Sequence, residues 1–228
     1  MMAPAWLPLV LVGVVISAVT AVLKYQQRTL SAAFCGGLGA LLFVAVAVVC
    51  RMETGDRLYA IFVIAGLSLH ALGNLVIDMG GGLVGGRAKG AGLGIALLLL
   101  GHTAYLAALI YRGFIAGVIA LPLAVGMMAV VSSYMKKHSK RSSLLRALGV
   151  TYLLMPILVI CWSIGLVILN LPDSTYHLFL LGALGLLILD FDLLFKLLKK
   201  GAMPMASTAA YVAYFTGELL LSLSILFA

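Results

Sequence analysis

Residues 58–79 read L-Y-A-I-F-V-I-A-G-L-S-L-H-A-L-G-N-L-V-I-D-M. The run is long enough to cross a bilayer, which takes about 20 predominantly apolar residues as an α-helix. Its only formally charged residue, Asp78, lies near one end. Within it, His70, Asn74 and Asp78 recur at i, i+4 and i+8, so on a helix they form one stripe. An apolar helix with one polar stripe is the signature of a span that faces a bundle interior.

The pattern repeats along the chain. Apolar runs separated by charged or Gly/Pro-rich breaks predict spans at 5–23, 30–50, 58–79, 91–111, 113–134, 146–170, 175–198 and 205–227. The fold class is therefore all-α: a polytopic transmembrane bundle of about eight spans, forming a single integral-membrane domain. Of the 228 residues, 64% are hydrophobic and 10% charged, against the roughly 25% charged of a soluble domain. Only Arg112 and Gly113 separate the fourth and fifth runs, which predicts a tight helical hairpin. Pro122 and Pro156 are the main candidates for interrupting a span. The N-terminal run lacks a basic leader and reads as a retained first span.

The formal net charge is +8, but its placement points to topology and not to nucleic acid. Lys24, Arg28, Arg87, Lys89, Lys136, Lys137, Lys140, Arg141, Arg146, Lys196, Lys199 and Lys200 fall on one side of the eight-span scheme. Arg51, Arg57 and Arg112 fall on the other. The excess predicts that the first group is cytoplasmic and that both termini lie outside. Gly80, Gly81, Gly82, Gly85 and Gly86 predict a flexible cytoplasmic loop. Cys35, Cys50 and Cys161 are isolated and read as small packing residues, and the ten methionines as adaptable packing.

Ionisable side chains inside spans are costly, and are candidates for function by default. They are His70 and Asp78 in the third span, His102 in the fourth, Asp190 and Asp192 in the seventh, and Glu218 in the eighth. Tyr105 shares a face with His102, and Tyr211 and Tyr214 share one with Glu218. Each has a plainer role beside the functional one. Asp192 can meet water or Lys196 one turn on. Asp78 can face Arg87 or Lys89, and His70 can serve as a hydrogen-bonded packing residue. His138 and His177 read as solvated. With the orientation above, the polar faces predict a shared interior site opening toward the cytoplasm. The chain has no HExxH, P-loop or GxSxG motif, and no metal site is expected.

Four segments resemble the YhhN-type lysoplasmalogenase family of eight-span membrane hydrolases. Gly66 to Asn74, G-L-S-L-H-A-L-G-N, is similar to the family's G-L-x-x-S-x-x-G-D. Gly94 to Tyr105, G-I-A-L-L-L-L-G-H-T-A-Y, is similar to G-x-x-x-F-x-x-G-H-x-x-Y. Gly182 to Asp190, G-A-L-G-L-L-I-L-D, is similar to G-A-L-x-F-x-x-S-D, and Tyr214 to Leu220, Y-F-T-G-E-L-L, to Y-x-x-x-Q-x-L. The segments occur in the family's order, and Lys24 stands where the family often has a lysine. The departures are Asn74 for the first carboxylate, His70 and Leu189 for serines, and Glu218 for the glutamine.

The resemblance implies hydrolysis of the vinyl ether bond of a lysoplasmalogen, giving a fatty aldehyde and glycerophosphocholine or glycerophosphoethanolamine. It implies a lysophospholipid substrate within a membrane, no cofactor and no nucleic acid. The membrane would be the inner membrane of a bacterium or the endoplasmic reticulum of a eukaryote. Protonating a vinyl ether carbon needs a general acid, and the oxocarbenium-like cation that follows needs a carboxylate. Asp190 is expected in one of these roles and Asp78 or Glu218 in the other. His102 and Tyr105 would position water or substrate, with Asn74, His70 and Tyr214 nearby and Lys24 on the phosphate. Two other readings stay open: a small transporter or lipid-binding protein using the buried carboxyl groups and histidines, and a zinc-dependent intramembrane hydrolase using His70 and His102. Oligomeric state is not legible.

Overall fold

The computed structural model describes residues 4–80, 87–138, 143–198 and 204–228, and the described residues form helices and turns without strands. The helices are α1 (Trp6–Tyr25), α2 (Thr29–Glu53), α3 (Arg57–Asp78), α4 (Arg87–Arg112), α5 (Gly117–His138), α6 (Ser143–Leu169), α7 (Ser174–Leu198) and α8 (Pro204–Ser224). All eight are long and apolar enough to cross a membrane. The predicted spans coincide with them to within a few residues. Gly81, Gly82, Gly85, Gly86, Lys140, Arg141, Lys199 and Lys200 lie outside the described residues, as do the side chains of Arg87, His138, Arg146 and Lys196.

The surface along the spans is apolar, as a bilayer solvent requires, and the ionisable side chains of the spans are buried within an otherwise apolar core. Phe114, Val118, Val125 and Val130 are at least 70% exposed, whereas His70, His102, Asp190 and Glu218 are each at most 3% exposed. Eight apolar helices with an apolar surface and buried ionisable groups mark an integral membrane protein.

Six helices close a ring through the neighbours α2–α3–α4–α6–α7–α8, with α8 returning to α2 and also reaching α3. Helix α1 sits outside the ring on α2 and α8. Small residues set the tightest contacts, because close backbone approach is what drives helix association in lipid. A Cβ on Gly94 would fall 2.4 Å from Ile77 Cγ1 and 2.8 Å from the Gly73 carbonyl, so α3 and α4 meet almost backbone to backbone. Gly182, Gly185 and Gly217 do the same for α7 and α8. A Cβ on Gly217 would lie 2.6 Å from the Gly182 carbonyl oxygen, and one on Gly185 2.5 Å from that of Ala213.

Two expectations are corrected. The fourth and fifth spans do not form a hairpin: α5 packs on α6, and α4 packs on α3 and α6. The cause is the linker. Gly113 is extended, Phe114–Ala116 makes one 3₁₀ turn, and α6 captures both. Trp162 Nε1 donates to the Gly113 carbonyl at 3.1 Å, and Gly165 admits the Ala116 carbonyl, which would lie 2.8 Å from a Cβ there. Pro122 and Pro156, in turn, do not interrupt their spans, since α5 and α6 run through them. Membrane helices tolerate proline because neighbouring groups re-satisfy the freed carbonyls.

One end of the bundle is tied by ions. Asp56 caps α3 by accepting from the Tyr59 amide at 3.1 Å. It also accepts from Arg112 Nη1 at 2.8 Å, while Arg112 Nε donates to Tyr176 Oη at 3.2 Å and Nη2 to Asp173 at 3.5 Å. The ends of α3, α4 and α7 are thereby joined.

Candidate functional site

The ring interior holds a connected set of polar side chains from five helices. On α7, Asp190 accepts a hydrogen bond from Tyr152 Oη of α6 through Oδ1. Its Oδ2 lies 2.9 Å from His102 Nε2 of α4. The His102 ring meets the His70 ring of α3 edge-on at 4.4 Å, and His70 packs on Tyr105 at 5.2 Å. On α8, Tyr214 donates to Glu218 Oε1. Tyr105, packed on His70, feels the charge of both Glu218 and Asp190.

Backbone glycines make the room. A Cβ on Gly66 would lie 2.2 Å from Tyr105 Cε1, and one on Gly101 would lie 2.3 Å from His70 Cδ2. Each aromatic ring therefore lies directly on the helix opposite. The Gly182/Gly185/Gly217 contact likewise draws α8 onto α7 and brings Glu218 beside Asp190's helix. The glycines that carry the sequence motifs are thus the ones that seat the site's side chains.

Burial leaves several polar atoms without a protein hydrogen-bond partner: His70 Nε2, His102 Nδ1, Tyr105 Oη and Glu218 Oε2. A buried polar atom of this kind is expensive and calls for an explanation. Four of them in one cluster make this interior the candidate site.

The structure divides the remaining predicted residues. Asp78 does not join the cluster. It lies about 12 Å along α3 from His70, at 1.5 Å per residue. Among the described side chains Lys89 is not its partner, and the expected contact with Arg87 lies outside them. Lys24 Nζ of α1 is 2.7 Å from Asp78 Oδ1, and Tyr211 Oη donates to the same oxygen at 2.6 Å. The Lys24 ammonium also lies 4.0 Å from the centre of the Tyr211 ring. Asn74 links the two groups: with Asp78, Tyr211 and Tyr214 it lines a crevice between α2, α3 and α8. Asp192 accepts from Ser207 at 3.4 Å, and its expected contact with Lys196 lies outside the described side chains. His177 is at the helix end, with Nε2 2.8 Å from the Leu171 carbonyl oxygen. Among the described residues, no three His, Cys, Asp or Glu side chains group as a metal-binding set.

Sequence reasoning missed Tyr152 and the Arg112 network. Tyr152 was detectable in principle, because a tyrosine inside an apolar span needs a partner for its hydroxyl. Arg112, Asp56 and Asp173 lie far apart in sequence at three span ends, where charges are ordinary, so no local signal connects them.

Comparison with protein-family models, with curated proteins and with solved structures finds no match.

Proposed function

We propose that the chain is a membrane hydrolase of the lysoplasmalogenase type, cleaving the vinyl ether bond of a single-chain phospholipid. The observation that supports it is the convergence of two buried carboxyl groups, Asp190 and Glu218, on one interior cluster with His102 and Tyr105. The four resembling segments supply His102, Tyr105, Asp190 and Glu218, with His70 and Asn74 on α3.

The roles follow from which oxygens are occupied. Both Asp190 oxygens are held, by Tyr152 and by His102. A fixed carboxylate of this kind is preorganised to stabilise a cation. Glu218 has Oε2 unpartnered, which leaves that oxygen to carry and deliver a proton. In this scheme Glu218 protonates the alkenyl carbon β to the ether oxygen, and the C=C electron pair forms the new C–H bond. The adjacent carbon becomes an oxocarbenium centre facing Asp190. Water, positioned by His102 and Tyr105, adds to that carbon and gives up a proton, which restores the acid. The hemiacetal then breaks its C–O bond to release the aldehyde and the glycerol hydroxyl. One water is consumed and no cofactor takes part. Asp78, engaged at the bundle end, has no part in these steps.

The basic excess orients the Lys24/Asp78 end toward the cytoplasm and both termini outward. A lysolipid would thus present its head at that end and its tail among the helices.

One observation favours a second reading, a proton-coupled transporter or lipid-binding protein: Tyr152, Asp190 and His102 form a buried hydrogen-bonded group with the His70 ring edge-on against it, and buried ionisable groups of this kind serve proton transfer in membranes. Incubating the purified protein with a lysoplasmalogen and measuring free fatty aldehyde separates the two. Release by the parent and not by Asp190→Asn supports the hydrolase. A folded parent that releases none transfers the site to the second reading.

A further inference from the structure

Glu218 is a fully buried carboxyl group, and a proton held there reaches solvent only along other polar groups. Toward the C-terminal end of α8 they stop. The Ser222 hydroxyl lies 2.9 Å from the Phe43 carbonyl oxygen and 2.7 Å from that of Glu218, and a carbonyl has no proton to pass on. Toward the other end they continue. Tyr214 donates to Glu218 Oε1, and the same tyrosine lines the crevice between α2, α3 and α8 with Asn74, Asp78 and Tyr211. Asn74 Nδ2 is buried there without a hydrogen-bond partner. The crevice encloses about 10 Å³. That is close to the minimum of roughly 10–15 Å³ for one water, and too little for a larger ligand. A buried water also needs roughly two to four polar partners, and the Asn74 amide, the tyrosine hydroxyls and Asp78 are the polar groups of an otherwise apolar wall. The Asp78 side chain is 14% exposed and borders the recess of about 390 Å³ that opens at the bundle end.

From this geometry we infer that the crevice binds one water, and that Asp78, this water and Tyr214 form the route by which Glu218 exchanges its proton with solvent at the Lys24/Asp78 end of the bundle. The route serves either reading of the cluster. It sets the protonation of a buried general acid, and it would load a proton-coupled carrier. Asp78 takes a proton from solvent while Lys24 and the Tyr211 hydroxyl stay beside it. It passes that proton to the water. The water passes one of its own to the Tyr214 oxygen, and Tyr214 passes its hydroxyl proton to Glu218 Oε1. Each member gains one proton and gives one up, so one enters at Asp78 and one arrives on Glu218. Asn74 passes no proton and is a positioning residue. Its Nδ2 donates to the water's oxygen, which leaves the two O–H groups to face Asp78 and Tyr214.

The test reads the infrared carbonyl band of the protonated Glu218 carboxyl group, identified by its loss in Glu218→Gln. The full-length protein is held in detergent at mildly acidic pH without lysolipid. On a switch from H₂O to D₂O the band moves to lower frequency as the proton exchanges, and the rate of that move is measured. Asn74→Leu fills the crevice and removes the donor. It is expected to slow exchange by about tenfold or more, equivalent to about 1.4 kcal/mol on the transfer barrier. Asn74→Ser keeps a hydroxyl and room for the water, and is expected to exchange at close to the parent's rate. Asp78→Asn removes the proton acceptor at the entrance while keeping its shape. It is expected to slow exchange in the same direction, and it decides the matter should Asn74→Leu not fold. Ser222→Ala, on the far side of Glu218, is expected to leave the rate unchanged. The parent's rate in folded Asn74→Leu or in Asp78→Asn, equal slowing in Ser222→Ala, or a parent without a Glu218 band overturns the route. Exchange along this route without aldehyde release sinks only the hydrolase reading, and aldehyde release with exchange indifferent to Asn74 and Asp78 sinks only the route.

Discussion

His102 Nε2 lies 2.9 Å from Asp190 Oδ2, although α4 and α7 are not packed neighbours in the ring. The pair therefore reaches across the interior of the bundle. Tyr152 from the intervening α6 holds the other Asp190 oxygen, so three helices fix one carboxylate. A group held by its surroundings in this way does not need to reorganise when charge develops opposite it.

Asp190→Asn keeps the shape and removes the charge. In a lysoplasmalogen assay it is expected to lose roughly 100- to 1,000-fold in kcat, the size of losing one preorganised electrostatic contact. His102→Gln is expected to fall in the same direction by less. Full aldehyde release by Asp190→Asn would remove this residue from the reaction.

Glu218 is assigned the proton that goes to carbon. Turnover in D₂O is expected to place one deuterium on the carbon next to the aldehyde, read by mass spectrometry at short times. Glu218→Gln is expected to slow the reaction by roughly 100- to 10,000-fold, the range for a lost general acid. An aldehyde without that deuterium would mean that the bond breaks by another route.

The Gly66–Tyr105 contact gives a steric prediction that does not depend on function. A methyl group at Gly66 would sit 2.2 Å from the Tyr105 ring, so Gly66→Ala is expected to cost about 1–3 kcal/mol, the usual penalty for overpacking. Gly92→Ala is the control, since a Cβ there meets nothing within 4 Å. It is expected to be neutral or to stabilise by up to about 1 kcal/mol through helix propensity. Thermal unfolding in detergent ranks the two, and an equal Tm for both variants would contradict the packing.

Arg112 ties α3, α4 and α7 at one bundle end through Asp56, Tyr176 and Asp173. Arg112→Met leaves two carboxylates without it and is expected to cost about 1.5–3 kcal/mol, the scale of a hydrogen bond to a charged group. Arg112→Lys is expected to recover only part, because an ammonium lacks the planar fork that reaches several partners at once. If Lys restores the whole loss of Tm, the interaction is one of net charge and not of geometry.

Much of this protein is legible in one dimension. Eight apolar runs fix eight spans, because a bilayer core gives a helix no other way to satisfy its backbone. His70, His102, Asp190 and Glu218 stand out because a polar side chain in such a run must face inward. All four are buried in the same interior. What helical spacing does not carry is which inward faces meet. Asp78 shares a stripe with His70 and Asn74, yet two turns of helix take it out to Lys24 on α1. The fourth and fifth spans are adjacent in sequence, yet Trp162 and Gly165 draw the linker onto α6 and part them. Tyr152 reaches Asp190 from a span with no other sign of function. Hydropathy and period are properties of one helix, set by its own residues against lipid. Partner choice is set by which small residues let two backbones approach, and only the packed bundle decides that.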